Sequence, residues 1–204
     1  MAVQSTRPRL AVLVSGGGTN LQAIIDAIAD GRLDAEIAVV VSNTPDAFAL
    51  QRAAAAGIDT LVRPHQGIDR ETYDTELAYA VATFGVDLVV LAGWLRILTT
   101  YFVAHHRTIN LHPAKPGAFP GLHAIERAFA AWQAGEIDHG GVMVHFVPDE
   151  GVDDGPVIAW EPVPFEPEDT LDTYEARVHA VEHRVLVSAI ASVVATSPRT
   201  GGWS

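Results

Sequence analysis

Arg9-Leu10-Ala11-Val12-Leu13-Val14, then Ser15-Gly16-Gly17-Gly18-Thr19-Asn20, then Leu21, Ile24, Ile25 and Ile28 at helical spacing, is the stretch that decides the fold. A continuous apolar run is what a parallel strand buried on both faces requires. The glycines open a turn, and the apolar residues after it recur with the period of a helix. Strand, glycine loop and helix in that order begin an open α/β sheet. They also form an anion cradle, because the first N–H groups of the helix and its dipole face the loop. The plain alternative is a tight turn, but three consecutive glycines exceed what a turn needs. The anion expected is a mononucleotide-sized phosphate. A dinucleotide fingerprint needs a third glycine where Leu21 stands. The second strand, Glu36 to Val41, ends in Ser42-Asn43 rather than an acidic ribose reader. No Gly-Lys-Ser/Thr follows, so the loop is not a P-loop.

The chain continues in the same style. Pro45 to Ala56 reads as a helix opened by proline and closed by Gly57. Asp59 to Val62 is a short third strand. Asp69 to Phe84 is a helix with Tyr73, Leu77, Ala80, Val81 and Phe84 on one stripe. Arg70 in its first turn is opposed by the dipole, which points to an external anionic partner or to a solvated arginine. Asp87 to Ala92 is the next buried strand. The apolar loop Gly93 to Leu98 at its carboxyl end either lines a flat-ligand pocket or plugs the core with Trp94 and Leu98. After Gly121 a helix runs to Trp132, with Leu122, Ile125, Phe129 and Trp132 inward. Gly141 to Val147 alternates as a strand, and Pro156 to Pro164 pairs with it. The last helix spans Thr170 to Ala195, with Leu171, Tyr174, Val178, Val181, Val185 and Val193 inward. Residues 1–8 and 197–204 read as tails.

The chemistry concentrates in Thr108-Ile109-Asn110-Leu111-His112-Pro113. On a strand, Asn110 and His112 share one face while Ile109 and Leu111 share the other. Pro113 ends the strand. An amide and an imidazole thus meet at a strand's carboxyl end, where open α/β sheets bind ligands. Together they can stabilise the oxyanion of acyl transfer, and the imidazole can pass a proton to a leaving nitrogen. The bland alternative has Asn110 capping a turn and His112 half-buried. The Pro148 to Gly155 loop carries four carboxylates, Asp149, Glu150, Asp153 and Asp154. They lack an EF-hand's spacing and read as solvated charge, save that one of them can approach His112 and raise its pKa.

Composition narrows the classes. The 204 residues suit one domain, without repeat or linker, and 49% are hydrophobic, with no run of membrane-span length. Met1 to Arg9 lacks a signal peptide's apolar core, and with no cysteine a cytoplasmic protein is expected. A net charge of −12 with a single lysine, Lys115, argues against nucleic acid as partner. The nine histidines show no metal-ligand spacing, so no metal is expected.

Val14 to Ile24, Val40 to Asn43, Ala47 to Leu50, Val90 to Leu98, Asn110 to Pro113 and Asp149 to Ile158 span most of the chain. In that order they resemble the folate-dependent glycinamide ribonucleotide formyltransferase family of purine synthesis. The resemblance implies a Rossmann-like, doubly wound, mostly parallel sheet with an antiparallel C-terminal part. It implies a single domain whose N-terminal half binds phosphate and whose C-terminal half binds folate. It implies substrate contacts at Gly18, Thr19, Asn20, Leu21 and Glu182. Folate contacts are implied at Arg70, Leu95, Arg96, Ile97, Leu98 and Asn110, and along Asp149, Glu150, Gly151, Val152 and Asp153. Asn110, His112 and Asp153 match the catalytic trio. The implied reaction moves a formyl group from 10-formyltetrahydrofolate, as co-substrate, to phosphoribosylglycinamide. A homodimer is left open. Two departures stand out: Ala114-Lys115-Pro116-Gly117 after the Asn-x-His-Pro motif, and one extra residue near Pro148, which anchors Asp153 on Gly155-Pro156. The alternatives are a 10-formyltetrahydrofolate hydrolase and a non-catalytic nucleotide-binding α/β module. The extra domains expected of a hydrolase or of a transferase acting on tRNA have no room here.

Overall fold

The computed structural model describes residues 7–196. At its centre is β1 (Arg9–Val14), whose side chains alternate between two cores. Leu10, Val12 and Val14 pack with α1 (Thr19–Ala29), α5 (Ala124–Gln133) and α6 (Leu171–Ala195). Ala11 and Leu13 pack with α3 (Arg70–Ala82) and α4 (Thr100–His105). A strand that is apolar on both faces needs helices on both faces, and the chain supplies them.

The remaining strands are β2 (Glu36–Ser42), β3 (Thr60–Val62), β4 (Leu88–Leu91), β5 (Thr108–His112), β6 (His139–Phe146) and β7 (Val157–Pro164). They form one seven-stranded sheet in the order β3-β2-β1-β4-β5-β6-β7. Pairing is parallel from β3 to β5, and antiparallel for β5–β6 and β6–β7. The sheet is thus mostly parallel and doubly wound, with an antiparallel C-terminal part. The chain leaves β1 on one side toward β2 and returns on the other to β4. The crevice between their carboxyl ends is the topological switch point, where such sheets take ligands. Across it the Ser15 N–H donates to the Gly93 carbonyl at 2.9 Å.

Several boundaries move for local reasons. α2 (Phe48–Ala55) begins after Pro45, not at it: Ala47 N–H closes a turn on the Thr44 carbonyl, and the Ser42 hydroxyl bonds Thr44. α5 starts at Ala124 because His123 is left-handed (φ 59°), which leaves Leu122 exposed rather than inward. α3 ends at Ala82, short of the expected Phe84; Ala80 on it and Phe84 beyond it are only partly covered, while Asp74 is fully buried. By length and composition α6 resembles a membrane span, against the reading that no run approaches one. Half of its most apolar 18-residue stretch is buried in this fold, on residues such as Val178, Val181, Val185 and Ile190. Pro8 is not a tail residue, since its carbonyl accepts the Glu36 N–H at 2.9 Å. The expected tail at 197–204 lies outside the described residues.

Candidate active site

The crevice is a cleft of about 970 Å³. One end is the glycine turn. Gly18 is left-handed (φ 72°) and caps α1. The first helical N–H groups have no partner within a helix, and a helix N-terminus left open in this way suits an anion. A Cβ at Gly18 would stand 2.6 Å from the Ala49 Cβ and 2.8 Å from its Cα. Gly18→Ala is therefore expected to cost about 2–4 kcal/mol, from left-handed strain plus overpacking. A melting point roughly 5–15 °C lower would register it.

Thr19, Asn20 and Glu182 line this end. Leu21 does not: its side chain is fully buried in the core, so any ligand contact is through its main chain. The buried Asn20 amide donates to Glu182 Oε2 at 3.1 Å, and His179 Nδ1 meets the same oxygen at 2.7 Å. That bond to Glu182, against the opposing effect of burial, holds the His179 pKa above its ordinary value. Asn20 Oδ1 is buried without a protein partner.

The middle of the cleft is the carboxyl end of β5. Asn110 and His112 sit on one face, with Ile109 and Leu111 in the core as the strand period requires. Asp153 lies between them. Its Oδ1 accepts the Asn110 amide at 2.8 Å. Its Oδ2 accepts the Gly121 N–H at 2.8 Å and stands 3.2 Å from His112 Nδ1. The other ring nitrogen, Nε2, donates to the Phe119 carbonyl at 3.1 Å. Both nitrogens thus face acceptors, which favours the doubly protonated ring. Burial opposes this: the His112 pKa is lowered, chiefly by desolvation, with Asp153 and the Phe119 carbonyl pulling it up. The expectation that a carboxylate raises the His112 pKa is corrected to that extent, because desolvation outweighs the pair. Burial pushes the Asp153 carboxyl up, but His145, the Gly121 N–H and His112 together hold it below its ordinary range.

His145 completes the cluster, and the sequence reading missed it as a site residue. It is 2% exposed, pairs with Asn110 across β5 and β6, and brings Nε2 to 3.3 Å from the Asn110 amide. Its Nδ1 donates to the Phe146 carbonyl at 2.8 Å. The signal was available: antiparallel pairing of the two predicted strands sets His145 opposite Asn110. His179 was visible only as a residue three before Glu182. The Phe119 carbonyl left no trace in the pattern. Among the described residues the non-glycine positions with positive φ are Phe119, His123 and Asp153, all in the two loops that enclose His112. Such strain gathers at functional sites.

The far end is apolar. Leu95 and Ile97 are exposed toward the cleft, at 65% and 45%. Trp94 and Leu98 instead plug the core, so the two readings of this loop each hold for half of it. The Arg96 guanidinium lies 4.6 Å from the centre of the Tyr73 ring. Arg70, Asp149, Gly151 and Val152 line the rim. Glu150 turns away from the cleft to pair with Arg70 and to accept the Thr100 N–H at 3.0 Å. The chain itself thus supplies the anion expected beside Arg70. No group of three or more candidate metal ligands occurs among the described residues.

An anion cradle, an amide–imidazole–carboxylate cluster and an apolar slot share one cleft at the switch point of an open sheet. That combination defines a two-substrate α/β group-transfer enzyme. Residues 8–190 match the family model described as formyl transferase. The phosphoribosylglycinamide formyltransferase of Schizosaccharomyces pombe is 46% identical over 200 residues, covering 91% of this chain and 96% of that one. That of Escherichia coli K12 is 43% identical, covering 86% and 82%. The crystal structure of the Bacillus halodurans phosphoribosylglycinamide formyltransferase superposes with a TM-score of 0.86 at 36% identity, over 93% of this chain and 97% of that one. The chain belongs to the formyl transferase family, on its phosphoribosylglycinamide formyltransferase branch.

Proposed function

We propose that the protein transfers the formyl group of 10-formyltetrahydrofolate to the amine of phosphoribosylglycinamide, as a step of purine biosynthesis. The phosphate occupies the cradle at Gly18, Thr19, Asn20 and the Leu21 main chain, and Glu182 takes the ribose, with His179 beside it. The flat folate ring enters the slot along Leu95 to Leu98 and the Asp149 to Asp153 loop. Its anionic tail reaches Arg70, in competition with Glu150. The chain acts as a single domain: its N-terminal half holds the phosphate and one wall of the folate slot, and its C-terminal half supplies the catalytic cluster, the other wall and Glu182.

The observation that carries this reading is Asp153 bridging Asn110 at 2.8 Å and His112 at 3.2 Å inside the cleft. The amine nitrogen attacks the formyl carbon, forming a C–N bond and a tetrahedral oxyanion. Asn110 and His112 donate to that oxygen. In the free protein both Asn110 N–H groups have partners, and the longer contact, to His145 at 3.3 Å, is the one to exchange. His112 exchanges the Phe119 carbonyl in the same way. Negative charge developing on the oxygen restores the proton affinity that burial removes, so the ring gains charge as the transition state forms. The proton lost by the amine passes through the His112–Asp153 pair, or a water held there, to the folate nitrogen as its C–N bond breaks. The products are the formylated amine and tetrahydrofolate. Juxtaposing two bound substrates supplies much of the rate.

The test is an assay of tetrahydrofolate release with and without phosphoribosylglycinamide. Release that depends on the amine supports the transferase. Release without it makes the protein a hydrolase, and no release in either case leaves a binding module.

A further inference from the structure

Behind the apolar slot sits a carboxylate that the proposed reaction does not use. Asp74, on α3, is fully buried. An ionised carboxylate there is costly unless its oxygens are bonded. Its Oδ2 accepts the Thr99 main-chain N–H at 2.6 Å, while its Oδ1 is buried without a protein partner. Thr99 closes the Gly93 to Leu98 loop and caps α4. The other end of the loop is tied at Ser15, whose Oγ accepts the Leu95 N–H at 3.0 Å and whose N–H donates to the Gly93 carbonyl. Of the two residues that face the cleft, Leu95 sits at the first tie and Ile97 lies between the two. On the inner side of the loop, Trp94 Nε1, Arg96 Nε and Thr99 Oγ1 are buried without a protein partner. None of those atoms ties the loop by a hydrogen bond; Trp94 and Leu98 hold it by packing in the core, and Arg96 by lying over Tyr73. Burial pushes the Asp74 carboxyl up, while the Thr99 N–H and the nearby Arg96 favour its charged form.

We propose that Asp74 is a positioning residue for the folate co-substrate: by holding the Thr99 N–H from behind, it fixes where Leu95 and Ile97 meet the flat ring. The inference rests on the folate reading of the slot. It assigns Asp74 no contact with either substrate. Loosening this anchor acts on the slot and not on the cradle, because β1, α1 and the Ser15 ties that hold the cradle side of the loop stay intact.

Asp74→Asn keeps the shape and an acceptor oxygen but offers the Thr99 N–H a neutral amide in place of the carboxyl. The expected result is a KM for 10-formyltetrahydrofolate raised about fivefold, with kcat and the KM for phosphoribosylglycinamide within about twofold of the parent. Asp74→Ala gives a larger rise with the same split, and if it fails to fold, Asp74→Asn decides the matter. Hydrogen exchange at the Thr99 amide is expected to quicken in Asp74→Asn while the Ala92 amide, bonded within the sheet, is unchanged. Both KM values rising together, kcat falling alone, or no change in either KM or Thr99 exchange would overturn the proposal. If the parent protein shows no formyl transfer, the folate reading fails by itself, and the exchange measurement still reports on the anchor.

Discussion

His112→Ala is expected to lower kcat for formyl transfer about a thousandfold, combining a lost oxyanion donor with a lost proton relay. Both KM values stay within a few-fold, because the cradle and the slot are built from other elements. The substitution removes a ring that is 4% exposed, so a modest loss of stability accompanies it. Circular dichroism and a melting curve separate that loss from the chemistry. Turnover within tenfold of the parent, in a folded variant, would remove His112 from the mechanism.

Asp153→Asn is the second large effect, about a hundredfold in kcat. The substitution is clean at the backbone: Asp153 is left-handed (φ 56°), a conformation asparagine tolerates well. What changes is charge. Asp153 pulls the His112 pKa up against burial. Without the carboxylate, the His112 ring, followed by its nitrogen chemical shifts, is expected to titrate at lower pH than in the parent. The stability consequence has a definite sign. The Asp153 pKa in the folded protein is lowered from 3.8. Its contribution is therefore complete above the unfolded value and is lost as pH falls through the folded one. The difference in melting point between parent and Asp153→Asn is expected to be full at pH 7 and to shrink once the pH drops below about 4. A difference that grows on acidification would contradict the assignment.

How much of this was legible in the sequence depends on what kind of force fixes each part. β1 and its glycine turn were readable because burial on both faces leaves a continuous apolar run, and because Gly18 must be left-handed against Ala49. The shared face of Asn110 and His112 followed from the strand period alone. α5 was misplaced at its start because a left-handed His123 has no compositional signature. Pro45 misled for a related reason: proline opens turns as readily as helices, and here the Ser42 hydroxyl favours the turn. His145 was within reach through strand pairing, since its side chain is set by register. Asp74 and the Phe119 carbonyl were not. A buried carboxylate on a helix stripe looks like an exposed one until its acceptor geometry is seen, and a main-chain carbonyl has no letter in the sequence. The one extra residue near Pro148 leaves the cluster intact, since Asp153 still reaches both Asn110 and His112.

In the proposed reaction, fixed donors and one titrating ring move the formyl group while the protein forms no bond to it. A single-turnover experiment with carbon-labelled 10-formyltetrahydrofolate, quenched at intervals and read by mass spectrometry of protein and small molecules, tests this directly. Label is expected to pass from folate to phosphoribosylglycinamide at matching rates, with the protein at its unmodified mass throughout. A transient formylated protein, or label leaving the folate before the amine is added, would contradict it.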